Sequence, residues 1–139
     1  MVGRPMTVLL ALLLCAGGTL AHAADLYVIC NADVAISAAD IRDVFLGDKQ
    51  FAGAVKLTPV DNIAAQTMFL ERVLKMGAAK YSVAWTKKAF REGVNPPPLE
   101  GSDAETLAYV RRTPGSCSYL TAVAANGADT HGVVVVSKF

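Results

Sequence analysis

Downstream of residue 24 the reactive side chains are few: Cys30, Cys117 and the single histidine His131. Nucleophilic catalysis needs a serine or cysteine beside a positioned base. His131 instead lies in a loop rich in Asn, Gly and Asp, and no G-x-S-x-G turn occurs. Zinc or redox chemistry would need paired Cys/His ligands or a CxxC, and neither is present. The chain is therefore expected not to be an enzyme and to need no cofactor and no metal. Two readings stand for the cysteines: a Cys30–Cys117 disulfide, or two buried thiols acting as small hydrophobes.

Two other clusters could bind rather than react. Asp61-Asn62, followed by Gln66 and Thr67, stands where a short strand is expected to run into a helix. Free backbone amides at such a helix start attract anions, yet Asp61 brings a negative charge to the same place and could equally cap the helix. Asp61, Asn62, Gln66 and Thr67 are the candidate ligand residues. Lys80, Lys87, Lys88 and Arg91 form a basic stretch, read either as an anion patch or as the solvated face of an amphipathic helix with cations near its C-terminus. The second reading is preferred.

The elements that must position these residues follow from pattern. Leu26-Tyr27-Val28-Ile29-Cys30 is a continuous apolar run suited to a strand buried on both faces. Ser37-Ala38-Ala39-Asp40 is a capping box opening a helix through Ile41, Val44, Phe45 and Leu46, with Gly47 as its left-handed stop. Phe51-Ala52-Gly53 reads as a turn and Val55 to Val60 as a second strand, where Pro59 argues against full laddering on both edges. A helix is expected from Asp61-Asn62 to about Lys75 with Gly77 as its stop. Another runs from about Ala79 to Arg91, burying Tyr81 and Trp85, with Gly93 as its cap. Pro96-Pro97-Pro98 forces an extended connection. Ser102-Asp103-Ala104-Glu105 is a second capping box, Pro114-Gly115 a turn, and Ser116–Ala122 and Gly132–Ser137 the last strands. Four helices alternating with four short strands predict an α/β fold, a small mostly parallel sheet covered by helices.

The first residues set the compartment. Arg4 precedes the apolar run Val8–Leu14, Gly17-Gly18 breaks it, and Ala21-His22-Ala23 supplies an A-x-A exit. This is the layout of a secretory signal peptide, and the run is too short for a membrane span. The expected organisation is a signal peptide over 1–23 and one domain over 24–139, in the periplasm or secreted, with no membrane span after cleavage. Removing Arg4 from the 13 basic residues balances the 12 acidic ones, so the mature domain has no long-range pull on nucleic acid.

The order of motifs resembles a known family. Ile36-Ser37, Ile41 and Val44-Phe45-Leu46-Gly47 are followed by Pro59-Val60-Asp61, then Phe69 and Val73-Leu74, then Trp85 and Phe90, then Thr113-Pro114-Gly115-Ser116-Cys117-Ser118-Tyr119-Leu120. This succession is similar to the phosphate-binding proteins of bacterial ABC importers, and more closely to their short single-domain relatives. The resemblance implies one lobe of a type II periplasmic binding protein, holding mainly the second lobe. It implies a non-catalytic solute-binding domain with a small anion such as phosphate as candidate ligand. It also shows a departure: the family's Ser-Gly-Thr run falls on Ile63, Ala64 and Ala65, and its arginine on Asn62. Loss of those donors keeps open the alternative of a ligand-less adaptor that docks onto an envelope protein, or of a homodimer that rebuilds a cleft.

Overall fold

The computed structural model describes Gly3, residues 25–121 and residues 130–139. The expected signal peptide and the end of the Ser116–Ala122 strand lie outside them. Among the described residues, no helix is long and apolar enough to cross a membrane.

Strand β1 is Leu26–Asn31, as its β-branched and aromatic run dictates. A single tight turn, Ala38–Asp40, leads into helix α1, Ile41–Phe45. The Asp40 carboxylate accepts from both the Ser37 backbone N–H (2.8 Å) and the Ser37 hydroxyl (3.1 Å), so the box closes from the acidic side. A two-residue hairpin, β2 (Phe51–Ala52) and β3 (Val55–Lys56), turns at Gly53. The expected Val55–Val60 strand is broken into β3 and β4 (Thr58–Pro59), and the extended chain continues to β5 (Asp61–Asn62). Thr58 and Val60 donate to the Gly115 and Cys117 carbonyls, while Asp61 and Ile63 donate the other way, to Pro98 and Glu100. Pro59 falls on the side of the chain away from that first partner, where its missing N–H leaves no gap in the ladder.

Helix α2, Gln66–Phe69, begins later than expected and widens into a π-helical turn over Leu70–Leu74. Its stop is Lys75, at φ 54°, and Gly77 instead caps the start of α3, Ala78–Glu92. The short β6, Leu99–Glu100, was not read from the sequence because the prolines before it hide its two-residue pairing with β5. Helix α4, Asp103–Arg112, is capped by Ser102, whose hydroxyl accepts from the Glu105 N–H at 3.1 Å. Strands β7 (Ser116–Thr121) and β8 (Val133–Lys138) complete the fold.

The main sheet has the order β4-β7-β1-β8. β4 runs parallel to β7, and β1 runs antiparallel to both β7 and β8. Three of the four strands thus point one way and the reversed strand, β1, lies at an interior position, so two of the three pairings are antiparallel. Cys30 and Cys117 are direct partners in the β1–β7 register and are joined by a disulfide, with Cα atoms 4.0 Å apart. Of the two readings of the cysteines, the bridge is the one realised.

Both faces of β1 are covered, as its apolar run requires. Leu26, Val28 and Cys30 pack into the main core with Val44, Phe45, Phe69, Leu74 and Trp85. Ile29 packs on the other side with Val110, Leu120 and Val133. An aromatic stack, Phe69 on Tyr119 with centroids 4.0 Å apart, ties α2 to β7. Gly47 (φ 73°) is needed at the end of α1 because a Cβ there would lie 2.7 Å from the Trp85 ring. Gly115 (φ 79°) is needed more strictly, since its Cβ would fall 2.1 Å from the Lys56 carbonyl oxygen.

Candidate binding site at the end of the central strands

The end of β5 and β7 gathers a buried polar network. Asp61 is only 4% exposed. Its carboxylate accepts from the Tyr81 hydroxyl at 2.9 and 3.1 Å and from the Tyr119 hydroxyl at 2.9 Å. Burial disfavours the charged form and pushes the carboxyl up to about 6, against the pull of the two phenols. The same burial, with the carboxylate close by, raises both phenols well above the ordinary tyrosine range. Among the described residues no cation pairs with Asp61; the ion pairs there are Lys49–Asp40, Lys88–Asp48, Lys88–Glu92 and Lys138–Asp25.

Asn62 is fully buried and fully used. Its amide nitrogen donates to Asp103 at 2.6 Å and to the Tyr119 carbonyl at 2.9 Å, and its Oδ1 accepts from the Ala64 N–H at 3.1 Å. Asp103 in turn accepts from the Thr121 hydroxyl at 2.5 Å. Asn62 therefore fastens the start of α4 to β5 and β7.

Of the four candidate ligand residues, then, Asp61 and Asn62 turn inward, with Asp61 and Gln66 on one cavity wall and Thr67 exposed outside it. Asp61 lies in a strand, four residues before the last non-helical position, so it cannot cap α2; Ala65 occupies that place. The amides of the loop before α2, which an anion there would need, are also spent. Ile63 N–H donates to the Glu100 carbonyl, Ala64 N–H to Asn62 Oδ1, and Ala65 N–H to the Asn62 carbonyl. What remains at the start of α2 is the first-turn amides of Gln66, Thr67 and Met68.

The Pro96–Pro98 segment separates two cavities that share Trp85, Pro96 and Pro97. One, of about 360 Å³, is walled by Asp61, Gln66, Tyr81, Ser82 and Thr86. The other, of about 350 Å³, is walled by Lys49, Gln50, Lys56 and Thr58. Sequence reasoning missed the second cavity, although Gly47 and the proline run that frame it were both visible as breakers. In the basic stretch, Lys80, Lys87 and Arg91 are exposed, as a solvated helix face predicts. Lys88 folds back on Asp48 at 2.6 Å, which raises its ammonium above the usual lysine range. Among the described residues, no three of His, Cys, Asp and Glu come together as a metal site would require.

No protein-family model matches the sequence. No curated protein matches it either. Solved structures do match, and all three described here are substrate receptors of phosphate transport. PstS from Borrelia burgdorferi superposes with a TM-score of 0.61 at 12% identity, covering 82% of this chain and 47% of that one. A protein from Clostridium perfringens, described as a phosphate ABC transporter substrate-binding protein and solved with phosphate bound, gives 0.58 at 12%, covering 82% and 44%. An ABC-type phosphate transport receptor from Vibrio cholerae gives 0.50 at 9%, covering 82% and 46%. The fold is similar to that of one lobe of these substrate-binding proteins, and the chain spans about half the length of the structures it matches. This agrees with the motif resemblance, which pointed to one lobe.

Proposed function

We propose that this chain is an exported, non-catalytic, single-lobe solute-binding-like domain, with its first 23 residues a cleaved signal peptide. Support comes from the fold, from a disulfide suited to an oxidising compartment and from the A-x-A pattern ending at Ala23. Its ligand class on this reading is a small anion such as phosphate, met at the start of α2 by Gln66, Thr67 and the first-turn amides. Asp61 and Asn62 shape that loop from behind.

The observation that carries the reading is the donor count. The hydroxyl run is replaced by Ile63, Ala64 and Ala65, and the amides of those residues are already bonded within the chain. Each remaining neutral hydrogen bond nets about 1 kcal/mol, which does not offset the cost of immobilising a solute. Phosphate affinity is therefore expected no tighter than about millimolar for the monomer. Calorimetry with phosphate on a verified monomer tests this; a micromolar constant would show that the donor count is wrong.

One observation favours the adaptor reading beside it. Ile63 is 57% and Leu99 55% exposed at the same end of the sheet, an apolar presentation that suits an envelope protein or a second copy better than an anion. Solution mass of the protein, alone and after cross-linking in the envelope, separates the two readings.

A further inference from the structure

We propose that the cavity between α3 and the Pro96-Pro97 segment binds a small organic ammonium ion, with the Asp61 carboxylate as counter-charge and Tyr81 and Trp85 as an aromatic wall. The inference does not rest on the anion reading, which concerns the outer start of α2 and shares only Gln66 with this cavity.

Among the described residues, Asp61 is the only charged one on that cavity's wall. Its two phenol partners satisfy hydrogen bonds but supply no positive charge. A buried charge without a counter-charge is costly, and a cation entering the cavity removes that cost. The rest of the wall suits the body of such a ligand. Trp85 and Tyr81 offer ring surface to an alkylammonium, Pro96 and Pro97 offer apolar contact, and Gln66 and Ser82 offer polar atoms. The indole N–H of Trp85 is tied to the Phe45 carbonyl at 3.1 Å, which holds the ring in place before any ligand arrives. A divalent metal would want six or more oxygens or several acidic ligands, and among the described residues no such group exists. The volume, about 360 Å³, lies in the range of small-molecule sites. The neighbouring cavity, with Lys49 and Lys56 on its wall, has the opposite sign and serves as an internal control.

Trp85 is the chain's single tryptophan and lines both cavities, so its fluorescence senses either one and variants on each wall assign the signal. Tetramethylammonium chloride is titrated into the purified protein, with sodium chloride matched for ionic strength. The expected result is a saturable change with the ammonium salt alone. Asp61→Asn should weaken it about tenfold or more, the loss expected when a charged partner is removed. Ser82→Phe, at an exposed position on the cavity wall, should abolish it and leaves the buried network untouched, so it carries the test if Asp61→Asn does not fold. Lys56→Met, on the other cavity, should leave the titration unchanged. No saturable change in the wild type would overturn the proposal. Undiminished binding in folded Asp61→Asn or in Ser82→Phe would overturn it as well.

Discussion

The two cavities beside the proline segment are nearly equal in size and share a tryptophan and two prolines, yet they differ in what surrounds their charges. Lys49 and Lys56 sit at the surface, where water and, for Lys49, the 3.6 Å contact with Asp40 screen them. Asp61 is buried between Tyr81, Tyr119 and the strands, with only an edge on its cavity's wall. A charge at the surface is adjustable and worth little; a charge in the core must be built around. Asp61 is the core-like charge of the two cavities, and it carries the sign that repels anions.

The largest test of this difference concerns the bridge that fastens β1 to β7, the strand carrying Tyr119. Replacing Cys30 and Cys117 by serine opens a connection of 87 residues. It should cost about 4 kcal/mol on the chain-entropy model, read by denaturant titration. The ring signals of Tyr81 and Tyr119, followed by NMR, should report loosening around Asp61 before the lysine side changes.

Next in size is the pH dependence of the acidic side. The Asp61 carboxyl is raised from 3.8 to about 6 in the folded state. Between those values the native protein holds a proton that the unfolded chain releases, so stability falls as pH rises from about 4 to about 6. The contribution is fully present below the unfolded value and gone above the folded one, about 3 kcal/mol in all. Asp61→Asn, which cannot ionise, should lack this fall; melts at about pH 4 and pH 7 for both proteins check it. The lysine side should show no matching step, and a step there would break the comparison.

A smaller effect probes the frame of the basic cavity. Gly47→Ala places a methyl 2.7 Å from the Trp85 ring in a left-handed backbone, and should cost about 1–3 kcal/mol in melting experiments. Smallest of all, Lys49→Met removes a partly exposed ion pair and should change stability by no more than about 0.5 kcal/mol.

Much of this arrangement was legible in the sequence because it rests on local physics. The β1 run, the Ser37–Asp40 capping box, the Ser102 cap, Gly47, Gly93 and the Pro114-Gly115 turn act within a few residues of themselves. Of the second expected box only the serine half forms, since Glu105 accepts from Gly101 rather than from Ser102. The Cys30–Cys117 bridge was one of two open readings, and only the β1–β7 register decided it. The role of Asp61 was not legible for the opposite reason. Its partners stand 20 and 58 residues away, and nothing in Asp61-Asn62-Ile63 distinguishes an inward carboxylate from a helix cap. The late start of α2 has the same origin: Asn62 spends its side chain on Asp103, Tyr119 and Ala64, delaying the helix to Gln66. The brief β6 depends on pairing with β5 across the proline run, which no local pattern encodes.

The measurement closest to the central claim is the titration of the Asp61 side-chain carboxyl itself, followed by carbon-detected NMR. The account predicts a midpoint near 6, set by burial without a counter-charge. A midpoint in the ordinary carboxylate range, with no ammonium ligand added, would contradict it, because it would mean that water solvates the Asp61 carboxylate and that burial does not set its titration.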